Sequence, residues 1–561
     1  MKTTTNMPSE SSSPPEPSAI LTRALLEAYR LPPIPDSAAY QATRKAFDAY
    51  LRGSTCIDTD DKALSGIPPS FVTMDPSQRA TVPLIRRGNK LYLSKLDHLE
   101  QALADAIQSR LREPNRKLQP GAHWLPQTKP GSPFTCADQQ RSVQLAVQTE
   151  LLVLTGGPGT GKTTTAACII GATLEAHGLR LEDIRLCAPT GRAASQLHGG
   201  LGSPDKALAQ QLPRLGCTDV GELQRRLPKS YTIHKFVHNA EMMTGAKLVI
   251  VDECSMIDLS LFLDLLKIIP DDARLVLIGD PQQLPSVDTG SVFADLCRSR
   301  QIEAEHIATL KEPFRAEGDA KTWFDFVVGY RNQQLTPPPA VGIHQPDLES
   351  ILSECLPEFG KVVELAQQPC YATMSSPLDT SQSEAIAKAI KSVRILCAYH
   401  GGKHGVRKLN EIIRKRLGLS DESSAGSLVM VTRNDHKVTD LSNGDVGLVG
   451  GGDLVWFPEK AVPIPFTQLP PNTPAFATTI HKSQGSEYGK VLLVLPPQEQ
   501  DKTDAHTEPF ITKQLVFTGV TRAQKTIAIF STSDIVCSAL NLSADRATGL
   551  KERLDQNNEP K

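Results

Sequence analysis

The chain has 561 residues, too many for a single hydrophobic core, so about two to four domains are expected. With 60 basic and 62 acidic residues the net charge is −2, which excludes a chain-wide basic field and leaves any nucleic-acid contact to a local groove. Eleven scattered cysteines without a C-x-x-C pair argue against a zinc site or a disulfide framework, and the apolar runs fall short of the ~18 residues of a membrane span. The expectation is a soluble, cytoplasmic protein with no membrane partner.

Residues 1–18 are rich in Ser, Pro and Thr, nearly lack large apolar side chains, and read as a disordered tail. Helical spacing of apolar residues over 19–112, with a short strand-like run Leu91-Tyr92-Leu93, suggests a small helical domain. Five prolines between 113 and 134 mark a linker. A helix is expected from about Thr135. It carries Gln139, whose amide could read an adenine edge or, as a lone Gln on a helix usually is, be simply solvated.

The apolar run Leu151 to Leu154 reads as a buried strand. Gly156-Gly157-Pro158-Gly159-Thr160-Gly161-Lys162-Thr163-Thr164 follows it and leads into a helical pattern. This is the strand, glycine-rich turn and helix start that a phosphate-cradling loop needs. Backbone N–H groups would surround the β-phosphate, Lys162 would reach the β- and γ-phosphates, and Thr163 would ligate Mg²⁺.

A second strand leads to Pro189-Thr190-Gly191-Arg192, which offers a hydroxyl and a cation at a strand exit, where open α/β sheets bind ligands. Residues 198–230 look like an insertion, followed by Tyr231-Thr232-Ile233-His234. The strand Leu248 to Val251 ends in Asp252-Glu253, one carboxylate for Mg²⁺ and one to orient and deprotonate water. The strand Leu275 to Ile278 exits into Gly279-Asp280-Pro281-Gln282-Gln283, and Gln283 is placed to sense a γ-phosphate.

A second α/β pattern begins at Arg394 and is interrupted over 427–470 by short strands and turns that read as a small barrel. It resumes through Thr479-Ile480-His481-Lys482-Ser483-Gln484-Gly485-Ser486-Glu487 and closes with Thr518-Gly519-Val520-Thr521-Arg522 before a final strand.

In this order, TGGPGTGKTTT, APTGRAA, TIH, VDECSMIDL, GDPQQLPSV, ATTIHKSQGSE and VFTGVTRA resemble the ordered motifs of superfamily-one helicases, in the branch that moves 5′ to 3′ on single strands. The finer resemblance is to RecD-type alpha subunits of exodeoxyribonuclease V. It is carried by SVDTGSVFADLC ending at Cys297, Lys408 to Glu411, Thr432 to Asp435 with Asn443 to Asp445, and the segment after Arg546. Length agrees, because free-standing relatives carry a much longer N-terminal region.

The resemblance implies an α/β fold of two RecA-like P-loop domains. Motor domain 1 would span 135–312 and motor domain 2 would span 313–545, with an SH3-like barrel inserted at about 427–470. A helical N-terminal domain at 19–112 would dock on a partner subunit, and 546–561 would form a tail. It implies ATP and Mg²⁺ as cofactors. Glu253 would be the base, Asp252 and Thr163 would hold the metal, Gln283 would read the γ-phosphate, and Arg315 and Arg522 would be arginine fingers. Gln139 would contact adenine and Glu487 the ribose. Pro189, Thr190, Arg192, Thr232, His234, Thr479, His481 and Ser483 would line the single-strand track.

The implied partners are single-stranded DNA, duplex ends, and RecB-like and RecC-like subunits in a bacterial, nucleoid-associated complex that acts in double-strand break repair by recombination. Any nuclease activity would belong to a partner. The alternatives are a free-standing or conjugation-type helicase, and an ATP-gated nucleic-acid switch that does not translocate.

Overall fold

The computed structural model describes residues 16–75, 77, 81–127, 136–303, 305–311, 318–331, 343–372, 378–435, 438–458, 460, 462–497 and 511–556. Helix α1 spans Pro17–Ala28 and α2 spans Ala38–Leu51. A proline at the first helical position costs α1 nothing, since that amide has no partner in any helix. Ser37 caps α2 by accepting the amide of Tyr40 at 3.3 Å.

Four short strands follow: β1 (Cys56–Asp58), β2 (Val72–Thr73), β3 (Leu84–Arg87) and β4 (Lys90–Leu93), in the order β1-β4-β3-β2. They share one core with the helices through Leu26, Tyr40, Phe71, Leu84 and Leu91. The helical unit expected over 19–112 is therefore mixed α and β. Its strands, two to four residues long, are too short to show an alternating pattern in the sequence. Helix α1 also begins inside the stretch read as tail, of which residues 1–15 lie outside the described residues.

Helix α3 (Ser94–Gln108) joins this unit to the next. Its Leu103, Ala104 and Ile107 belong to the same core as Phe262, Leu265 and Leu296 further along the chain. The stretch read as a linker is packed as well. Trp124 is buried with Leu152 and Ile170, and its indole N–H donates to Glu175 at 2.9 Å. Residues 128–135 of that stretch lie outside the described residues.

Helix α4 (Ala137–Gln148) precedes β5 (Leu151–Gly156) and α5 (Lys162–His177), then β6 (Ile184–Ala188) and α6 (Gly191–Leu201). Strands β7 (Ser230–Thr232), β8 (Leu248–Val251), β9 (Arg274–Gly279) and β10 (Ile307–Leu310) complete an all-parallel sheet, β10-β5-β9-β8-β6-β7. Successive side chains of a strand face opposite sides. Accordingly Leu151 and Val153 enter one core, while Leu152 and Leu154 enter the other. Burial on both faces explains why these strands read as unbroken apolar runs. The insertion expected at 198–230 is packed down too, burying Leu208, Leu215, Leu223 and Leu227 in the second of those cores.

The second parallel sheet starts with β11 (Ile343–His344) and β12 (Val393–Cys397). Five strands then intervene: β13 (Leu428–Val431), β14 (Val446–Val449), β15 (Leu454–Trp456), β16 (Ile464–Pro465) and β17 (Asn472–Pro474). They pair antiparallel as β16-β15-β14-β13-β17, with β16 and β17 at the edges. Strands β18 (Ala477–Thr479), β19 (Tyr488–Val494) and β20 (Ala523–Phe530) return to the parallel sheet, ordered β11-β20-β19-β12-β18.

The segment after 545, read as a tail, is a structural strap. Its helix Leu550–Asp555 buries Leu550 and Leu554 in the core that α3 shares. Arg553 reaches Asp97 at 2.7 Å and Glu100 at 3.1 Å, and its guanidinium lies over the Tyr92 ring at 5.1 Å. Both carboxylates are fully buried. Burial holds the Glu100 carboxyl above its usual range, even though Arg553, Thr55 and the amide of Gly549 all favour the charged form. Breaking a buried pair strands the remaining charge at a cost of about 3–5 kcal/mol. Arg553→Ala is accordingly expected to release the strap, seen as a loss of hydrogen-exchange protection in α3. Wild-type protection there would rule out this anchor.

Candidate functional site

Strands β5, β9 and β8 are neighbours, and all three end on the same edge of the first sheet. Their exits carry the glycine-rich loop, Asp280 to Gln283, and Asp252-Glu253. Topology alone thus assembles three segments that are separate in sequence, with Lys162 lying 90 positions before Asp252 and Asp280 a further 28 after it. In the loop, Gly159 and Gly161 have φ of +74° and +84°, a left-handed backbone that a side chain would strain. Gly161 is the N-cap of α5, so the helix opens directly onto the loop.

Lys162 Nζ donates to the carbonyls of Gly156 at 2.8 Å and Gly157 at 3.0 Å. Phosphate oxygens would compete for those same ammonium protons. Gln139 is buried against the loop, with Nε2 3.5 Å from the Thr160 carbonyl. Thr160 is turned inward and donates to Gly157 at 2.8 Å. Lys206, from the packed-down insertion, donates to Thr164 Oγ1 at 3.0 Å.

The acidic side of the site is crowded. Burial pushes the Asp252 carboxyl up to about 7, the neighbouring Glu253 adds to this, and the Glu253 amide and Lys162 oppose it. Glu253 has φ +53°, a left-handed backbone that costs a non-glycine residue about 1–2 kcal/mol. Its amide donates to Asp252 Oδ1 at 2.8 Å. Asp280 is also held above its usual range by burial, against Lys162 and hydrogen bonds from Gln282 and Gln283.

Three carboxyl groups thus gather around one ammonium group. Among the described residues no group of three or more acidic, His or Cys side chains is assembled to hold a metal. The protein oxygens for Mg²⁺ carried in on a nucleotide would therefore be those of Asp252 and the Thr163 hydroxyl in the first turn of α5, the phosphates supplying others. Gln283 is only 4% exposed, and its Oε1 is a buried acceptor with no hydrogen-bond partner among the described residues.

The second sheet faces this edge. Gly485 comes so close that a Cβ placed on it would lie 4.0 Å from Glu253 Oε1 and 3.8 Å from Gln196 Oε1 of α6. Glu487 accepts from Gln524 at 2.9 Å, and both line a crevice with Pro158 and Gly159 of the loop. Arg522 is 3% exposed. Its guanidinium is spent on the Thr518 carbonyl (3.1 Å), the Ser486 carbonyl (3.2 Å) and Thr521 Oγ1 (3.1 Å). In this conformation it is held inside its own domain, so a finger role requires it to exchange those contacts. Arg315 lies outside the described residues.

Of the residues expected on a strand track, Thr190, Thr232 and Thr479 share one local geometry. Each accepts the backbone amide three residues ahead, from Ala193 at 3.2 Å, Lys235 at 3.3 Å and Lys482 at 3.3 Å. A hydroxyl that accepts a cap bond keeps its own proton for an outside acceptor. Pro189 precedes the first of these caps, and His234 is exposed beside the second.

His481 lines a cavity of about 860 Å³ with Leu284 and Val287, and burial lowers the pKa of its ring. Arg192 Nη1 donates to the Gly444 carbonyl of the antiparallel insert at 3.1 Å, so it bridges the two halves of the chain. Ser483 does not fit its expected place. It is wholly buried and donates to the Ile480 carbonyl at 2.7 Å, so it braces a turn rather than facing a ligand.

Two contributors were not anticipated. Thr518 Oγ1 accepts the amide of Leu284 at 3.1 Å, and Gln484 Nε2 donates to the Leu284 carbonyl at 3.1 Å. Both lie inside segments singled out from the sequence, where their polar side chains were the available signal.

Two family models match the chain: an AAA domain over residues 135–325 and a UvrD-like helicase C-terminal domain over 474–529. The RecBCD enzyme subunit RecD of Mycobacterium tuberculosis is 30% identical over 457 residues, covering 74% of this chain and 73% of that protein. The RecBCD enzyme subunit RecD of Mycolicibacterium smegmatis is 29% identical over 93% of this chain and 94% of its own length. The ATP-dependent RecD2 DNA helicase of Deinococcus radiodurans is 28% identical over 83% of this chain, which spans 58% of that protein.

Removing the loop's cation should cost transition-state stabilisation on the scale of a lost oxyanion donor. Lys162→Gln is therefore expected to lower nucleoside triphosphate hydrolysis by on the order of a hundred-fold or more with the circular dichroism spectrum unchanged. Hydrolysis at the wild-type rate would refute the loop assignment.

Proposed function

The chain belongs to the RecD-like superfamily-one helicases and is an ATP-dependent DNA helicase. From that premise we propose that it moves 5′ to 3′ on single-stranded DNA as the motor subunit of a RecBCD-type assembly acting in double-strand break repair. The observation that carries the motor reading is the facing of the two sheets, with Glu253 and Gln196 of the first against Gly485 of the second. The subunit reading is supported by the RecD likeness running along nearly the whole chain. Any nuclease activity we assign to a partner. The antiparallel insert we read as the SH3-like module of this family, bearing on the first motor domain through Gly444 and Arg192.

In the proposed cycle, ATP enters the edge formed by β5, β9 and β8. Lys162 turns from the loop carbonyls to the β- and γ-phosphates, and Thr163 and Asp252 hold Mg²⁺. The bound ion supplies charge neutralisation at the phosphates. Glu253 orients a water and takes its proton, and the bond its backbone amide donates to Asp252 Oδ1 fixes the turn that carries it. Gln283 carries the state of the γ-phosphate to Leu284, and Arg522 leaves its internal carbonyls for the developing charge. Gln139 and Glu487 take the base and ribose. Thr190, Thr232 and Thr479 donate to strand phosphates, which gives affinity with little sequence reading.

Two outcomes test this cycle. Glu253→Gln is expected to lower DNA-stimulated ATP hydrolysis by about 10²–10⁴-fold while retaining ATP binding, as read with a fluorescent nucleotide. A variant that still hydrolyses ATP would remove Glu253 from the role of base. On forked duplexes carrying a single tail, unwinding is expected only with a 5′ tail, and unwinding from a 3′ tail alone would overturn the polarity. Co-purification from the native cell distinguishes a subunit from a free-standing helicase.

A further inference from the structure

The loop that follows Gln283 is wrapped around one cation. Arg546, from the strap after the second motor domain, donates through Nη1 to Ser286 Oγ (3.2 Å), the Gly290 carbonyl (2.8 Å) and the Asp288 carbonyl. Through Nη2 it donates to the carbonyls of Ser286 and Val287. Four carbonyls of one short loop thus point inward at a single guanidinium. With its backbone turned inward, the loop presents Val287 outward, 86% exposed.

The N-terminal unit closes the other side of the clamp. The Gly290 amide donates to the Gly53 carbonyl at 2.8 Å, and Ala547 pairs with Ser54 and Thr55 at 3.1 and 2.9 Å. Gly53 has φ +85°, and a Cβ there would fall inside the Arg546 guanidinium. Only glycine lets this turn sit on the arginine. Three distant parts of the chain (53–55, 286–290 and 546–547) therefore form one knot.

The knot stands between the segment that carries Gln283 and a cavity that Ser286, Val287 and His481 line. Leu284, next to Gln283, is gripped by Thr518 and Gln484. Two residues on, Ser286 and Val287 line the ~860 Å³ cavity that His481 also lines, together with Lys45 of α2 and Arg52 just after that helix.

We propose that Arg546 is a positioning residue that presets the 286–290 loop, so that Val287 meets the bases of single-stranded DNA, with Gly53 completing the clamp. This rests on the reading of the chain as a single-strand motor. The guanidinium works here as a planar fork with several donors, and a lysine's point charge cannot hold four carbonyls in that arrangement.

The test is ATP hydrolysis by the full chain with magnesium, titrated with short oligo(dT). Arg546→Ala and Arg546→Lys are each expected to raise the oligo(dT) concentration for half-maximal stimulation by about ten-fold or more. The rate at saturating DNA should change by less than about three-fold. Val287→Ala, at an exposed position that cannot unfold the chain, is expected to shift the same concentration in the same direction, and so is Gly53→Ala.

A lower saturating rate with an unchanged half-maximal concentration would mean that Arg546 only supports the fold, and the proposal falls. If the Arg546 variants do not fold, Val287→Ala decides, and an unshifted concentration overturns the proposal. A wild-type enzyme that oligo(dT) does not stimulate would sink the motor reading and this proposal with it. A stimulated wild type with unshifted variants sinks the proposal alone.

Discussion

Communication across this cleft depends on where Leu284 goes. The residue leaves the end of β9, whose neighbours all belong to the first sheet, and buries its side chain in the same core as Trp323, Leu515 and Phe517 of the second. Its amide and carbonyl are taken by Thr518 and Gln484, also of the second sheet. Burying a leucine contributes about 1.5–3 kcal/mol, and each hydrogen bond roughly one more. The first domain therefore cannot withdraw Gln283 without pulling a side chain out of the other domain's core. Thr518 also offers its carbonyl to Arg522, so one threonine touches both the segment that carries Gln283 and Arg522.

The catalytic edge is locally unfavourable in several ways at once. Asp252 and the buried Asp280 resist ionisation, Glu253 occupies a left-handed backbone, and Gln283 keeps a buried oxygen without a partner among the described residues. Each is a small cost, tolerable because the strands beneath are among the best-packed parts of the molecule, with every residue of β5 and β8 buried. The same features suit a site that must receive a metal-bound triphosphate. Added positive charge relieves the carboxylates, and an added donor satisfies the glutamine. Under the proposed function, the strain would be relieved by the ligand and would return when the ligand leaves.

How much of this was legible in the sequence depends on the range of each interaction. The glycine-rich loop and the Asp-Glu strand end could be read because strand, turn and helix are written in adjacent residues. The N-terminal sheet could not, because Val72–Thr73 is two residues long and gains meaning only from its pairing with Leu84 and Ile85. The strap looked like a tail because its anchors are single arginines whose partners lie some 250 to 450 positions away, as with Arg546 and Gly290 or Arg553 and Asp97. Trp124 hid in a proline-rich stretch for the same reason. Ser483 was misplaced because a motif position gives the residue type but not the direction of its side chain. Arg522 was read as a cation presented across the cleft, and the hydrogen bonds that hold it inside its own half belong to a conformation that sequence does not encode separately.

The same local device recurs on both sheets. Thr190 follows β6, Thr232 ends β7 and Thr479 ends β18, and each caps the helical turn that follows with its oxygen. Capping fixes the hydroxyl oxygen relative to its own sheet and leaves its proton uncommitted by the cap bond, although Thr232 is only 8% exposed. Under the proposed function, the two caps of the first sheet and the one of the second would keep their places while the distance between the sheets changes. A phosphate backbone held by both would then slip past one of them whenever the cleft moves. Under the motor reading, translocation needs no flexible DNA-binding loop. It needs caps that stay put and a Leu284 that makes the two sheets move in response to one ligand.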